Sequence, residues 1–251
     1  MLRAACAAVT GGSHVEGNIG CQDAVRVVNH RNRAAIALAD GAGSRRHSGM
    51  GAAVTVHSIT TLLTKNFESL YARIENSDCE LRAEIIESIR REIDSNAARL
   101  SETADQFAST MLFFATDRSR FIAGHLGDGV IAIRDAGKLT TLSGPDNGEF
   151  ANFTFFTTDR DASERLRIYY GRISSQFGVV LMSDGAAESL YDRRSNRTSE
   201  GVARLFDIFG GVTQSYMRRV LKQNLHRVIA PRTSDDCSLA MLVCTARKGL
   251  R

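Results

Sequence analysis

Residues 34–43 read AAIALADGAG, a strand-like apolar run that ends in an aspartate followed by glycine. The same arrangement returns in FIAGHLGDG (121–129) and FGVVLMSDG (177–185), and in mirror order in SDDCSLAMLV (234–243). A sheet holds a carboxylate at the mouth of a buried strand rigidly, and the glycine beside it lets backbone and ligand approach closely. The pattern therefore predicts strand ends that carry carboxylates, namely Asp40, Asp128, Asp184, Asp235 and Asp236.

Several carboxylates in one place favour a site for hard cations. Mg²⁺ and Mn²⁺ prefer oxygen ligands, usually keep waters and need few carboxylates each, so this set suits a two-metal cluster better than a single ion. Such clusters activate water for attack on phosphate esters. Asp-Gly is also the commonest turn dipeptide, and any one of these aspartates alone is explained by turn chemistry. Their joint occurrence beside apolar runs favours the metal site.

Composition places the chain among ordinary globular proteins. It has 251 residues, of which 43% are hydrophobic and 24% charged, and only 2 prolines. Because no linker rich in Gly, Ser or Pro divides it, we expect one domain over residues 1–251. The net charge of +4 is mild, and the basic stretch around Arg218 reads as the solvated face of an amphipathic helix, so no nucleic-acid partner is expected.

Cysteine usage and hydropathy bear on location. Five cysteines form no CxxC pair, and their odd number suggests free thiols in a reducing compartment. No stretch approaches the ~20 apolar residues of a membrane span, so we expect a cytoplasmic protein without a membrane partner.

Cys21 and Cys237 each stand beside a motif aspartate. A nucleophilic thiol there would need a histidine base, and none is adjacent in sequence, so a structural role is favoured.

The order of elements favours an α+β fold. Strand-like runs occupy 3–10, 23–29 and 33–39, and a helix capped by Ser48 is expected to run to about Lys65, followed by a clearer helix over 79–100. The apolar runs 109–117, 119–127 and 129–136 suggest an antiparallel meander. Strands then continue in 165–173 and 176–183, helical segments in about 185–191 and 213–228, and a last strand in 236–245. Two sheets packed face to face with helices outside would bury this many apolar strands.

The ordered motifs resemble a known family. They read S-H-x(7)-Q-D-A from Ser13 to Ala24, A-D-G-x-G from Ala39, G-D-G from Gly127, S-D-G from Ser183 and D-D-x-S from Asp235. In order and spacing, from about residue 8 to 244, they resemble the metal-dependent type 2C protein serine/threonine phosphatases, and most closely the bacterial single-domain members. Each motif alone is weak, whereas five in order are specific.

The resemblance implies a four-layer α-β-β-α sandwich with a binuclear Mn²⁺ or Mg²⁺ centre at one end of the paired sheets. By matching position, Asp40 bridges the two metals and the Gly41 carbonyl binds one of them. Asp184 and Asp235 bind the other metal, and Asp23 lies beside the cluster. In D-D-x-S the family's ligand is the first acid, which favours Asp235 over Asp236. A metal-bridging hydroxide would then attack phosphorus in line, so Asp23, Asp40, Asp184 and Asp235 are the expected catalytic acids.

A weaker third metal position is also expected, built from Asp128, Asp184 and Glu188. Glu188 follows Asp184 by four residues, so a helix beginning there would place both acids on one side. The simpler alternative is that Glu188 is a solvated helix residue.

This chain departs from the family pattern at several positions. Gln22 stands where some members have glutamate, and Ala42 where animal members have a histidine proposed as general acid. The family's phosphate-binding arginine is missing from residues 16–20. Arg45 and Arg46, five and six residues beyond Asp40, are candidate substitutes, and His14 in its glycine-flanked loop is a second candidate. For the two arginines, an exposed basic loop is an equal alternative.

The leading hypothesis is a Mn²⁺- or Mg²⁺-dependent phosphatase acting on phosphoserine or phosphothreonine in proteins. Its expected partners are a phosphoprotein substrate and a cognate serine/threonine kinase or that kinase's target. The alternative is a non-catalytic signalling module of the same fold that binds a phosphoprotein or kinase without turnover. Residues 149–154 resemble a feature of the bacterial subgroup and are expected to form a loop near the site.

Overall fold

The computed structural model describes residues 1–30, 32–74, 77–146 and 154–245. Within the expected loop at 149–154, only Thr154 belongs to these ranges. The strands are β1 (Leu2–Val9), β2 (Ala24–His30), β3 (Arg33–Ala39), β4 (Met111–Thr116), β5 (Arg120–Leu126), β6 (Val130–Asp135), β7 (Lys138–Ser143), β8 (Arg167–Arg172), β9 (Phe177–Met182), β10 (Tyr191–Asp192), β11 (Arg197–Thr198) and β12 (Cys237–Cys244). The helices are α1 (Gly12–Glu16), α2 (Ser48–Ile74), α3 (Asp78–Leu100), α4 (Ala162–Arg165), α5 (Asp184–Leu190), α6 (Glu200–Gly211) and α7 (Gln214–Asn224).

Two five-stranded antiparallel sheets form the centre of the molecule. One has the strand order β1-β12-β9-β6-β7 and the other β2-β3-β4-β5-β8. Helices α2 and α3 pack on the outer face of the second sheet, and α5, α6 and α7 on that of the first. The predicted four-layer α-β-β-α sandwich is confirmed.

Strand β3 shows why the sequence folds into stacked layers. Its side chains alternate between faces. Ala35 and Ala37 pack towards the helices, whereas Ile36 and Leu38 pack between the sheets. A strand buried on both faces needs apolar residues at every position, which explains its unbroken apolar run. Both sheets contribute to the core between them, and this shared core supports our proposal that residues 1–251 form a single domain.

The predicted meander is wrong at its third strand. β4 and β5 pair as expected, but β6 belongs to the other sheet, where it pairs with β7 and β9. The turn between β5 and β6 is therefore a crossing between sheets. Gly127 opens it with φ of 113°, a conformation that favours glycine.

Helix α2 also differs from the prediction. It continues past Lys65 to Ile74 through a non-helical residue at Asn66. Ser48 is its first residue, and the Ser48 hydroxyl donates to the Arg45 carbonyl at 3.1 Å, whereas a capping hydroxyl would accept from a helix amide. Strand β7 and helix α6 were not predicted, and the segment predicted as helix over 213–228 leaves regular α-helix after Asn224. No helix in the described ranges combines the length and the apolar character needed to cross a membrane.

Candidate metal centre

The sheet register brings carboxylates from different strands to one end of the sandwich. Asp23 immediately precedes β2 and Asp40 immediately follows β3, and the pairing of Ala24 with Ala39 places these two acids side by side. On the other sheet, Asp184 follows β9 and Asp235 precedes β12, and these two strands are also neighbours. Two pairs of neighbouring strands, one pair in each sheet, thus present four acids at the same end of the sandwich.

The surroundings of Asp23 favour a cation site. Its side chain is only 9% exposed, and among the residues described neither carboxyl oxygen makes a well-formed hydrogen bond. Burial, together with the charges of Asp236 and Asp184, raises the pKa of Asp23 to about 7, against the opposing effects of the nearby Ser238 hydroxyl and Asp40 carboxyl. A buried carboxylate without donors is costly unless a cation pairs with it.

Asp40 and Asp184 share this environment. Burial raises the pKa of Asp40 well above its usual range, and the negative charges of Asp23 and Asp184 add to the effect. Burial also raises the pKa of Asp184 to about 6, with Asp128 contributing next. The Asp40 backbone is fixed by Thr110, whose hydroxyl accepts from the Asp40 amide at 2.9 Å and whose amide donates to the Asp40 carbonyl at 2.8 Å.

These acids fit divalent cations that retain part of their water shell. In the part of the chain described, no three acidic, histidine or cysteine side chains converge as a complete ligand set. Mg²⁺ and Mn²⁺ do not require one, because they bind through one or two carboxylates together with waters and carbonyls. The oxygen-only donors, their burial and their mutually raised pKa values therefore match such ions.

The two acids of D-D-x-S have different surroundings. Asp236 is 1% exposed, and its two oxygens accept from the Gly11 amide at 2.7 Å and the Gln22 amide at 2.6 Å. Asp235 instead lines the adjacent cavity. The geometry therefore favours Asp235 as the metal ligand. Asp236, which the sequence also offered as a candidate metal residue, instead holds two backbone amides, and a metal role for it stays a prediction.

A cavity of about 270 Å³ lies beside these carboxylates. It is lined by Ser13, His14, Asp40, Gly41, Ala42, Gly43, Thr110, Asp128, Thr154, Phe156, Ser234 and Asp235. The Thr154 hydroxyl donates to Asp128 at 2.5 Å. Asp23 and Asp184 lie near the acids that line the cavity but do not line it themselves. The site thus offers an acidic recess large enough for a phosphate group.

Three candidate residues lie apart from the recess. Arg45 pairs with Asp105 at 2.9 Å and Arg46 with Glu102 at 3.1 Å. Glu188 is exposed on α5, as expected if it is a solvated helix residue. None of the three lines the cavity, and their roles stay predictions.

The substituted family positions and the thiols add detail. Gln22 has a buried side-chain oxygen for which the described residues supply no donor. Burial raises the pKa of the Cys237 thiol to about 12, and that of Cys21 rises even further, with acidic neighbours contributing in both cases. Such thiols stay protonated, which agrees with the structural role favoured for them.

Sequence reasoning missed the contacts made by Thr110, Thr154 and the Asp236 carboxylate. Their partners are remote in sequence, and no spacing pattern could have revealed them.

Comparison with known proteins decides the family. The sequence profile described as Protein phosphatase 2C matches residues 10–229. The chain belongs to the protein phosphatase 2C family. The resemblance seen in the motifs is confirmed, and so is the conclusion that this protein is a phosphoprotein phosphatase, an enzyme of a metal-dependent family.

Individual relatives agree with this assignment. The chain is 26% identical over 249 residues to Serine/threonine-protein phosphatase 3 of Escherichia coli (strain K12), covering 94% of this chain and 95% of that protein. The catalytic domain of the serine threonine protein phosphatase PstP, solved with 2 manganese ions, matches with a TM-score of 0.63 at 15% identity over 96% of this chain and 97% of that one. PppA, described as a key regulatory component of T6SS in Pseudomonas aeruginosa, matches with a TM-score of 0.64 at 15% identity over 96% of both chains. At these identities the two structures support the fold.

Proposed function

We propose that this phosphatase hydrolyses phosphoserine and phosphothreonine in proteins, with two Mn²⁺ or Mg²⁺ ions held by the strand-end carboxylates. The observation that carries the proposal is the buried Asp23 carboxylate, whose oxygens make no well-formed hydrogen bond to the described residues and which stands among other acids whose pKa values are raised. When bound, two such cations lower the pKa of bound water and offset the charge that develops on the phosphoryl oxygens.

Each acid has a role that follows from its position. Asp40 lies beside Asp23 through the pairing of Ala24 with Ala39, and the charges of Asp23 and Asp184 both raise its pKa, so it is the acid that would contact both ions. Gly41, whose carbonyl is the further ligand in this proposal, follows Asp40 and also lines the cavity. Asp184 and Asp235 hold the second ion from the neighbouring sheet. Asp23, buried behind them, supplies negative charge that attracts the cations.

A weaker third position completes the metal centre in this proposal. Asp128 lines the cavity, and its charge raises the pKa of Asp184, so a cation beside both acids would offset their mutual repulsion. Glu188 would join them only if its exposed side chain turned inwards. The hydrogen bond from Thr154 occupies one Asp128 oxygen, which is consistent with weaker binding there.

The substrate is a phosphoprotein, and its kinase is the expected regulatory partner. The family assignment favours this enzyme over the non-catalytic binding module. We also keep the cytoplasm as the proposed location because all five cysteines are free thiols, as in a reducing compartment.

Phosphate release from phosphoserine, phosphothreonine and phosphotyrosine peptides, with Mn²⁺ and with excess chelator, tests the proposal. We expect release from the first two peptides with Mn²⁺ and none with chelator. Equal activity in both conditions would contradict the metal-dependent reaction.

A further inference from the structure

The proposed reaction brings a phosphate dianion into an acidic recess. Asp40, Asp128 and Asp235 line the cavity, and their charges oppose the entry of a dianion unless positive groups offset them. Bound metals supply part of that charge. Among the residues described as lining the cavity, His14 is the one side chain able to carry a positive charge.

The nearby arginines are directed elsewhere. The Arg45 guanidinium pairs with Asp105 at 2.9 Å and that of Arg46 with Glu102 at 3.1 Å. Both arginine side chains are largely exposed, at 43% and 76%. The side chain of His14 is 14% exposed, so it is already ordered at the cavity wall.

The segment that carries His14 is fastened to the acidic loop before β12. The amide and hydroxyl of Ser13 both donate to the Ser234 carbonyl, at 3.0 and 2.6 Å. The close approach requires glycine at position 11, because a Cβ there would lie 2.2 Å from the Asp235 backbone. Helix α1 is too short to hold its own position, so these contacts fix it.

Asp236 is the centre of this attachment. Its oxygens accept from the Gly11 amide at 2.7 Å and the Gln22 amide at 2.6 Å, and these two residues bracket α1. Hydrogen bonds to a buried carboxylate are charge-assisted and therefore strong. One side chain thus holds both ends of the segment that presents His14.

Asp236 also approaches the imidazole itself. The Nδ1 of His14 lies 3.0 Å from the Asp236 oxygen that Gln22 also contacts. This is a close polar contact rather than a well-formed hydrogen bond, since the geometry at the ring nitrogen does not meet that of a hydrogen bond. Such contacts commonly tighten when substrate binds. A carboxylate at Nδ1 orients the ring and leaves Nε2 for a second partner.

We propose that His14 contacts the substrate phosphate through Nε2, and that Asp236 is the positioning residue that holds His14 at the cavity. The inference rests on the proposed phosphatase function and specifies its phosphate contact. It selects His14 over the two arginines.

The test uses His14→Ala and His14→Arg, with His57→Ala as the control because His57 is exposed on α2. KM for a phosphopeptide and direct binding of inorganic phosphate to the Mn²⁺-loaded protein are measured. We expect His14→Ala to weaken both by about tenfold with kcat within about twofold, and His14→Arg to restore most of the affinity. The control should match the parent protein.

Unchanged KM and phosphate binding in His14→Ala would overturn the assignment. Mn²⁺ binding without phosphate should be equal in all variants, and its loss in His14→Ala would also count against a phosphate contact. A parent protein that releases no phosphate would contradict the proposed reaction, and the direct phosphate-binding measurement would still decide the role of His14.

The positioning role of Asp236 is tested by a double-mutant cycle. Asp236→Asn should raise KM in the parent protein and change it by less than about twofold in the His14→Ala background, because the residue acts through His14. Equal effects in both backgrounds would overturn that role. The ¹⁵N shifts of His14 in the parent protein give a second measurement that does not depend on the folding of Asp236→Asn. A proton on Nδ1 is expected there, and an unprotonated Nδ1 would contradict the pairing.

Discussion

The substitution Asp23→Asn should stabilise the metal-free protein and lose that advantage when metal is present. The side chain is buried without a well-formed hydrogen bond, and burial raises the pKa of Asp23 from 3.8 to about 7. Its charged form is therefore disfavoured by folding when no cation pairs with it. The asparagine side chain would occupy the same space without the charge.

The size and pH dependence of the effect follow from that shift. The folded pKa lies above the unfolded value, so the penalty is negligible well below pH 3.8, grows as pH rises and is complete above about 7. At about 1.4 kcal/mol per pKa unit, the rise corresponds to an upper limit of about 4 kcal/mol. We expect a gain of about 2 kcal/mol, because neighbouring carboxylates share the protons and the asparagine amide is itself buried.

Urea unfolding of both proteins in excess chelator measures this difference. The gain should be present at about pH 8 and fall to about 1 kcal/mol or less at about pH 4.5. With saturating Mn²⁺ it should vanish or reverse, since the parent carboxylate then faces cations. Asp94→Asn, an exposed position on α3, should show no change. A variant less stable than the parent protein at pH 8 in chelator, or a gain that does not depend on pH, would refute the reasoning.

Three further predictions concern the same site. Mn²⁺ at about a hundred times its dissociation constant should stabilise the parent protein by about 3 kcal/mol, and an unchanged thermal midpoint would indicate a site that binds no metal. Asp128→Ala should lower kcat while calorimetry shows tight Mn²⁺ binding nearly unchanged, and loss of all metal binding would contradict the proposed layout. Arg45→Ala and Arg46→Ala should leave KM for a phosphopeptide within about twofold of the parent value if His14 makes the phosphate contact, whereas a tenfold rise would return that role to the arginine loop.

The acids of the site were predictable because their signal is local. An apolar run followed by an aspartate and a glycine is a short pattern that can be recognised in the sequence. The run is unbroken because successive side chains point to opposite faces of the strand and both faces are buried, as for Ile36 and Ala37 in β3. The register that places Asp23 beside Asp40 then follows from the antiparallel pairing of β2 with β3.

The errors arose where the deciding contacts are distant in sequence. The turn at Gly127 has the same local composition whether it closes a hairpin or crosses between sheets, so the position of β6 could not be read from it. Strand β7 lies at a sheet edge, and only two of its six residues, Leu139 and Leu142, are apolar, which gives a weak signal. The family motif already favoured Asp235 over Asp236 as the ligand, but the contacts of Asp236 could not be predicted because the amides that it accepts from lie more than 200 residues away.

We propose that strand-end carboxylates hold the cations that make this chain a phosphatase. Phosphate release from a phosphoserine peptide at saturating Mn²⁺ tests it most directly in Asp40→Asn, with Asp94→Asn as the matched control. Because the charges of Asp23 and Asp184 both act on Asp40, we expect its replacement to abolish hydrolysis while the folded protein remains, as checked by circular dichroism. Turnover of Asp40→Asn equal to that of the parent protein would contradict the account.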